Sequence, residues 1–438
     1  MVNKYGKDGV VGRGFRLGKL GFGLVGSYLS YQAQNFLLCE SDQDRRKARF
    51  KRKASRHVRE ELGALKGPVM KLGQILSMQT EILPDEALAE LATLQMRAPG
   101  MHASLARAQF KSSLGKFPEE VFREFDEEPF AAASLGQVHR AVTRDGEKVA
   151  VKIQYPAIRA AIENDFRLLR SATLPGQLTG HLPTALLDEI QRGILEETDY
   201  KREADNLEFF AKGLGALEYV TVPRVHRELS TDRVLTMSYV EGEVLAELLK
   251  RKPSQQFRNL LGARLCEMYE TQLLRLKAVH ADQHPGNYLF QPDGRIGLID
   301  FGCVKRFSID ITELRRCYRA RAWRQGEASA RQFFRMIYGP KVPHTRARKI
   351  LPIVERWCDA IYPADPDADI VIDFAKDAKL KEIHKELMNR AVRDKLINPE
   401  YAFFSRADIG IRYLLREIGA KINFSEIVRQ VNGQPQRV

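Results

Sequence analysis

Three oxygen-bearing side chains, Asp282, Asn287 and Asp300, fall within two short stretches of the chain. These are His280-Ala281-Asp282-Gln283-His284-Pro285-Gly286-Asn287 and Leu298-Ile299-Asp300-Phe301-Gly302. Carboxylate and amide oxygens are hard ligands, suited to a small divalent cation whose remaining positions are filled by phosphates and water. Tyr288-Leu289-Phe290 and Ile296-Gly297-Leu298-Ile299 read as two strands, and Pro292-Asp293-Gly294 as the turn between them. Such a hairpin folds Asn287 and Asp300 back to the same end. The pattern predicts a magnesium–triphosphate site. Asn287 and Asp300 would hold the metal, and Asp282 would face the γ-phosphate and orient an attacking water or hydroxyl.

A site of this kind needs upstream elements to cradle the nucleotide. From Phe130 the pattern changes to strand period. Ala131-Ala132-Ala133-Ser134-Leu135-Gly136-Gln137-Val138 leads into one strand, Thr143–Glu147 turns, and Lys148–Gln154 forms the next. The spacing matches G-x-G-x-x-G-x-V followed by V-A-V-K, with alanine at the first two glycine positions and glycine kept at Gly136. Nucleotide contact is expected from Ala131, Ala132, Ala133, Ser134, Gly136 and Val138, and Lys152 is the expected phosphate lysine. The methyl groups of Ala131 and Ala133 crowd a loop that glycine normally keeps open, so phosphate geometry should differ from that of an ordinary kinase. Glu203, in a long helical region Leu186–Ala211, can supply the carboxylate that orients Lys152. The long separation between those two residues requires inserted helices. Val220–Val225 and Val234–Val240 read as strands, and Glu241-Gly242 as a hinge. Met237, Tyr239 and Val240 are then expected beside the adenine. After Asp300-Phe301-Gly302 no A-P-E-like segment follows, and Asp310–Trp323 already reads as helix.

The remaining elements are mostly helical. Ala103–Leu114, Pro156–Thr173 and Phe257–Ala278 have amphipathic or buried patterns, the last burying Leu260, Leu261, Leu265, Met268, Leu273 and Leu276. Further helices are expected around 330–337, 350–361, 374–388 and 406–418. Near the start, residues 12–38 are basic, then glycine-rich and apolar, which fits a membrane-surface or docking helix. Residues 42–59 carry a dense basic run from Arg45 to Arg59, suited to acidic headgroups. A net charge of +14 over 438 residues calls for an anionic partner. Basic and aromatic residues are not interleaved, which disfavours nucleic acid. The five cysteines are scattered without metal-binding spacing and read as free thiols of a reducing compartment. No signal peptide is evident, and no uninterrupted apolar run reaches the roughly 18 residues a span needs. The expected location is cytoplasmic with peripheral membrane attachment, not secreted.

Taken together, Lys71-Leu72-Gly73-Gln74, the alanine-rich loop, Lys152, Glu197-Thr198-Asp199, Glu203, Asp282, Asn287 and Asp300 resemble the UbiB (AarF) family of atypical kinases, and within it the coenzyme Q biosynthesis kinases. The likeness runs from about residue 60 to about 305. It implies an α+β, atypical protein-kinase-like, two-lobed fold with an N-terminal helical extension and a mostly helical C-lobe. The corresponding segments are 1–60 (membrane-proximal or docking), 61–125 (K-x-G-Q extension), 126–242 (N-lobe with inserted helices) and 243–438 (C-lobe). It further implies that Lys71 and Gln74 gate the nucleotide pocket, held partly by Glu197 and Asp199, and so keep out protein acceptors. An ATPase or small-substrate phosphotransferase using ATP and Mg2+ would remain. It would support ubiquinone or other prenyl-lipid synthesis at membranes, with anionic or prenyl lipids and other lipid-biosynthesis proteins as partners. Bacterial members often carry C-terminal membrane spans, and none is evident here. Two rival readings are a small-molecule kinase of the aminoglycoside or choline type, and a nucleotide-gated scaffold without turnover.

Overall fold

Two antiparallel ladders, one flanking the Asp282–Asp300 stretch and one within it, frame that part of the fold. The computed structural model describes residues 101–133, 135–172, 184–339, 343–362, 368–376, 382–383, 386–387, 390 and 399–433. Lys71, Gln74, Ser134 and the stretches 12–38 and 42–59 lie outside the described residues. The described chain falls into two compact units, 101–146 with 151–198, and 147–150 with 199–433. They divide at Thr198–Asp199, inside the 126–242 stretch that the sequence assigns to one lobe.

In the first unit, α1 (Ala103–Leu114) has the expected bounds and ends at Gly115, whose φ of +77° suits glycine. Its buried Phe110 meets Phe122 and Phe125, with ring centroids 5.8 and 6.3 Å away. β1 (Glu124–Phe125) and β2 (Ala131–Ala133) both pair antiparallel with β3 (Gly136–Val142), in the registers Phe125↔Ala141 and Ala132↔Gln137. β3 turns Gln137, His139 and Ala141 inward and Arg140 outward, the alternation of a half-buried strand. β4 (Lys148–Gln154) is buried from Val149 onward. α2 (Ile158–Ala172) buries Ile158, Ile162 and Phe166, spaced by one helical turn.

The helical region expected over 186–211 is two helices. α3 (Thr184–Glu196) stops before Glu197-Thr198-Asp199, and α4 (Tyr200–Leu214) begins after it. The break has a local cause. The Thr198 hydroxyl donates to the Leu195 carbonyl at 2.6 Å, and Asp199 caps α4 by accepting the Lys201 and Arg202 N–H groups. Within the first unit, Gln154 Nε2 donates to the Thr198 carbonyl at 2.8 Å and ties the break to the end of β4.

In the second unit the opening of β4 borders β6 (Val234–Ser238), and the Tyr239 N–H donates to the Lys148 carbonyl at 3.0 Å. The strand expected over 220–225 is shorter. β5 (Val220–Thr221) ends before Pro223, which has no N–H to extend its ladder, and Val225 then makes a single antiparallel bridge to Met237. α5 (Leu245–Lys250) precedes α6 (Gln255–Leu274), whose start is capped by Ser254. Leu261, Leu265, Met268 and Leu273 are buried as expected, but Leu260 is 39 % exposed. α6 ends four residues before the expected Ala278, because the chain there becomes β7 (Ala278–His280). β8 (Tyr288–Phe290) and β9 (Ile296–Leu298) form the expected hairpin, and β5 adds parallel to β9. β10 (Val304–Arg306) returns to pair with β7.

Helices α7 (Ile311–Arg319), α8 (Glu327–Tyr338) and α9 (Leu351–Ile361) follow. Then come β11 (Val371–Asp373), α10 (Pro399–Ile418), β12 (Lys421–Asn423) and α11 (Phe424–Gly433). Of the helix expected over 374–388, the structure gives a single turn at Phe374–Lys376, after a strand ending at Asp373, and helical residues at 382–383 and 386–387. Glu270 of α6, only 1 % exposed, is held by both guanidinium nitrogens of Arg315 on α7. A buried, bidentate pair of this kind fixes two elements in one geometry. Cys266, Cys303, Cys317 and Cys358 are all buried free thiols. Among the described residues no helix is long and apolar enough to cross a membrane.

Candidate active site

The second unit builds its site between the two ladders. On one side β7 pairs with β10 in the register His280↔Val304, and the Ala281 N–H donates to the Cys303 carbonyl at 2.8 Å. Asp282 therefore leaves its ladder beside Gly302. On the other side the β8–β9 hairpin pairs Tyr288 with Leu298, and the Ile299 N–H donates to the Asn287 carbonyl at 3.1 Å. Asn287 is thus seated against the residue that precedes Asp300. The turn at Pro292-Asp293-Gly294 places Gly294 at φ +81°, a backbone that residues with a side chain rarely adopt. Two local ladders and one tight turn bring Asp282, Asn287 and Asp300 to one place.

Hydrogen bonds orient these side chains. Asn287 Nδ2 donates to the Asp282 carbonyl at 2.9 Å, which fixes which end of the amide faces the Asp282 backbone. Asp300 Oδ1 accepts the Gly302 N–H at 3.0 Å. One carboxylate and one amide oxygen suit magnesium, which takes few protein ligands when phosphates complete its shell. Among the described residues no group of three or more His, Cys, Asp or Glu side chains could hold a metal by itself.

Buried contacts stiffen the loop from below. The Gln283 amide donates to the His280 carbonyl and accepts the Tyr288 hydroxyl. Burial raises the pKa of Tyr288, and the negative charge of Asp282 raises it further, so the phenol keeps the proton it donates. The His280 N–H donates to Gln272 Oε1 at 2.9 Å, which ties the loop to α6. On α10, a Cβ added to Gly410 would lie 2.6 Å from the Gln283 Cβ. Only glycine lets that helix approach the loop so closely.

Phe301, fully buried, is held by α4 through backbone and ring together. Its N–H donates to Glu203 Oε1 at 3.4 Å, and its carbonyl accepts from Asn206 Nδ2 at 3.0 Å. Its ring meets Phe210 and His280, with centroids 4.9 and 5.6 Å apart. Glu203, Asn206 and Phe210 recur at three and four residues, one face of a helix. The sequence alone points to Glu203 and not to Asn206. The signal was present: an amide one turn after a candidate carboxylate, on the buried stripe.

The other expected residues divide between the units. Ala131 and Ala132 are exposed and Ala133 half-buried on β2, and Gly136 and Val138 stand opposite them on β3. Lys152 lies on β4 of the first unit and is 5 % exposed. Glu197 is buried in that unit, whereas Asp199 caps α4 in the second. Met237 and Val240 are buried and Tyr239 half-buried in the second unit, and the Tyr239 N–H is engaged by Lys148. The stretch after β6 is anchored to the β8–β9 hairpin. Glu243 and Phe290 exchange backbone hydrogen bonds at 3.0 and 2.8 Å.

A loop with two acidic residues and an amide between paired ladders, gripped at Phe301 by a helical carboxylate, defines a kinase-like site on a mixed α+β fold. The chain belongs to the ABC1 atypical kinase-like (UbiB/AarF) family, whose model matches residues 93–327. The chloroplast protein Activity of BC1 complex kinase 7 of Arabidopsis thaliana is 34% identical over 266 residues, 60% of this chain and 38% of its own length. Mouse AarF domain-containing protein kinase 1 is 34% identical over 280 residues, 61% of this chain and 53% of its own. The chain thus spans between about a third and a half of the length of such curated relatives. Among solved structures, the complex of Rv3197 with erythromycin from Mycobacterium tuberculosis matches with a TM-score of 0.60 and 28% identity, covering 89% of this chain and 98% of that one.

Proposed function

We propose that this chain is a magnesium-nucleotide-dependent ATPase or small-substrate phosphotransferase that serves ubiquinone or other prenyl-lipid synthesis at a membrane surface. The observation that carries the reading is the convergence of Asp282, Asn287 and Asp300, held by two ladders and by the α4 grip on Phe301. Asn287 and Asp300 are the residues that would hold the cation. When bound, magnesium would supply the charge that offsets the developing negative charge on phosphate. Asp282 accepts the proton of a water or acceptor hydroxyl and aims it at the γ-phosphate. Lys152 is assigned to the phosphates, and the exposed alanine strand to the nucleotide. α7 begins nine residues after Gly302, with Asp310 as its cap, which leaves little chain for an extended peptide platform. This favours water or a small acceptor over a protein. Erythromycin belongs to the mycobacterial relative, and it places small hydroxylated molecules among the acceptors to screen.

The test is ATP hydrolysis with a magnesium titration, in the wild type and in Asp300→Asn, with anionic or neutral vesicles present. The variant should lose magnesium-dependent turnover, and anionic vesicles should raise the wild-type rate. Retained turnover in Asp300→Asn overturns the metal assignment. A rate indifferent to vesicles and to Lys71 or Gln74 substitution overturns the membrane and gating assignments.

A further inference from the structure

Gln137 and His139 share the inward face of β3, and neither side chain is exposed at all. Neither belongs to the nucleotide-contact set. A buried amide and imidazole need partners, and theirs form a line. The Met101 N–H donates to Gln137 Oε1 at 2.7 Å. Gln137 Nε2 lies 2.8 Å from His139 Nε2, and His139 Nδ1 lies 2.7 Å from the Asp126 carbonyl. A carbonyl only accepts, so Nδ1 carries the imidazole proton. Nε2 is then the lone pair that takes the Gln137 N–H, and Oε1 is left for Met101. One tautomer of neutral histidine and one orientation of the amide satisfy every member of the line. Phe125 stacks on the imidazole, with centroids 5.0 Å apart and planes 20° apart.

Two members of this line matter for the site. Gln137 stands directly across from Ala132, the middle residue of the alanine strand, and Ala131 faces Val138. Met101 follows Pro99-Gly100, 27 residues after Gln74 and within the 61–125 stretch of sequence that contains Lys71 and Gln74. We propose that Gln137 and His139 are positioning residues forming a latch, closed only while His139 is neutral, that couples the chain at Met101 to the alanine strand. Protonated His139 would present an N–H to the Gln137 amide. Gln137 would have to turn its oxygen toward the ring, and its NH2 would then oppose the Met101 N–H. Asp126 is the acidic residue that faces the imidazole and favours its charge. Burial opposes that charge more strongly and holds the pKa below its ordinary value. The effect of the latch on nucleotide affinity rests on the function proposed above; the latch itself does not.

Hydrogen–deuterium exchange on the full chain without nucleotide, from pH 5 to 8, tests the latch directly. In Gln137→Leu, amides near Met101 and amides of Ala131–Ala133 should lose protection together, by about tenfold for a lost buried hydrogen bond. Gln137→Glu keeps the fold compatible with a charged partner, because a carboxylate accepts from both Met101 and protonated His139. In that variant the latch closes on protonation, so the two segments should lose protection as the pH rises rather than as it falls, with the midpoint moved upward by a unit or more, on the order of an adjacent opposite charge. Response of only one segment, or a midpoint unmoved by Gln137→Glu, overturns the latch. In parallel, the KM for MgATP should follow the exchange profile in all three proteins while kcat stays near wild type. If wild type binds no nucleotide, the functional reading fails, and the exchange data still decide the latch.

Discussion

Asn206 offers the sharpest test of how the loop at Phe301 is held. Its Nδ2 donates to the carbonyl of Phe301, a residue with no exposure, across 95 positions of sequence. Substitution by alanine or leucine leaves that carbonyl buried without its donor, at a cost of about 1–3 kcal/mol. For a domain of this size that lowers the melting temperature by about 3–8 °C. Aspartate is the informative replacement. It matches asparagine in shape, yet as a carboxylate it only accepts, and it would face both the Phe301 carbonyl and the Glu203 carboxylate one turn away. The expected order of stability is Asn, then Ala, then Asp. Phe301 adjoins Asp300, so the same displacement moves a proposed metal ligand, and a shift of about 1 Å can cost up to a hundredfold in rate. Thermal melting followed by magnesium-dependent ATP hydrolysis reads both effects. An Asn206→Asp protein that melts and turns over like wild type would refute the grip, because packing alone does not distinguish the two side chains.

Three more outcomes follow from the geometry. Gly410→Ala sets a methyl group against the Gln283 Cβ, should cost about 1–3 kcal/mol in thermal melting and should slow turnover, and a variant that melts and turns over like wild type would refute the close approach of α10 to the loop. Glu270→Ala leaves Arg315 nearly enclosed and uncompensated, at a cost of about 3–5 kcal/mol, whereas the double change Glu270→Leu with Arg315→Met should be far milder in urea denaturation. His139 has a folded pKa below its ordinary 6.5, so the unfolded chain takes up the proton first. Its contribution to stability is full above pH 6.5 and declines as pH falls through the lower folded value; His139→Gln should flatten that part of the stability profile.

The sequence alone determined the features whose causes are local. The hairpin over 288–298 was legible because Pro292-Asp293-Gly294 has only a few conformations open to it, and those reverse the chain. α1 was legible to its last residue, since its apolar spacing and Gly115 lie side by side in the chain. Asp282, Asn287 and Asp300 stood out because the ladders that gather them are short. Tertiary structure decided what depends on partners far away in the chain. Asn206 reads as one polar residue on an acidic helix until Phe301 arrives beneath it. Gly410 is an unremarked glycine in an amphipathic helix until Gln283 occupies the space its side chain would need. Glu270 and Arg315 look like surface charges until α6 and α7 enclose them. Gln137 and His139 read as the inward side of a strand, and only the packing of Met101 and Asp126 against them fixes which atom carries the proton. Turn and capping preferences act over a few bonds and are written in neighbouring residues; burial and hydrogen-bond satisfaction act through space, and only the folded chain fixes which groups must meet.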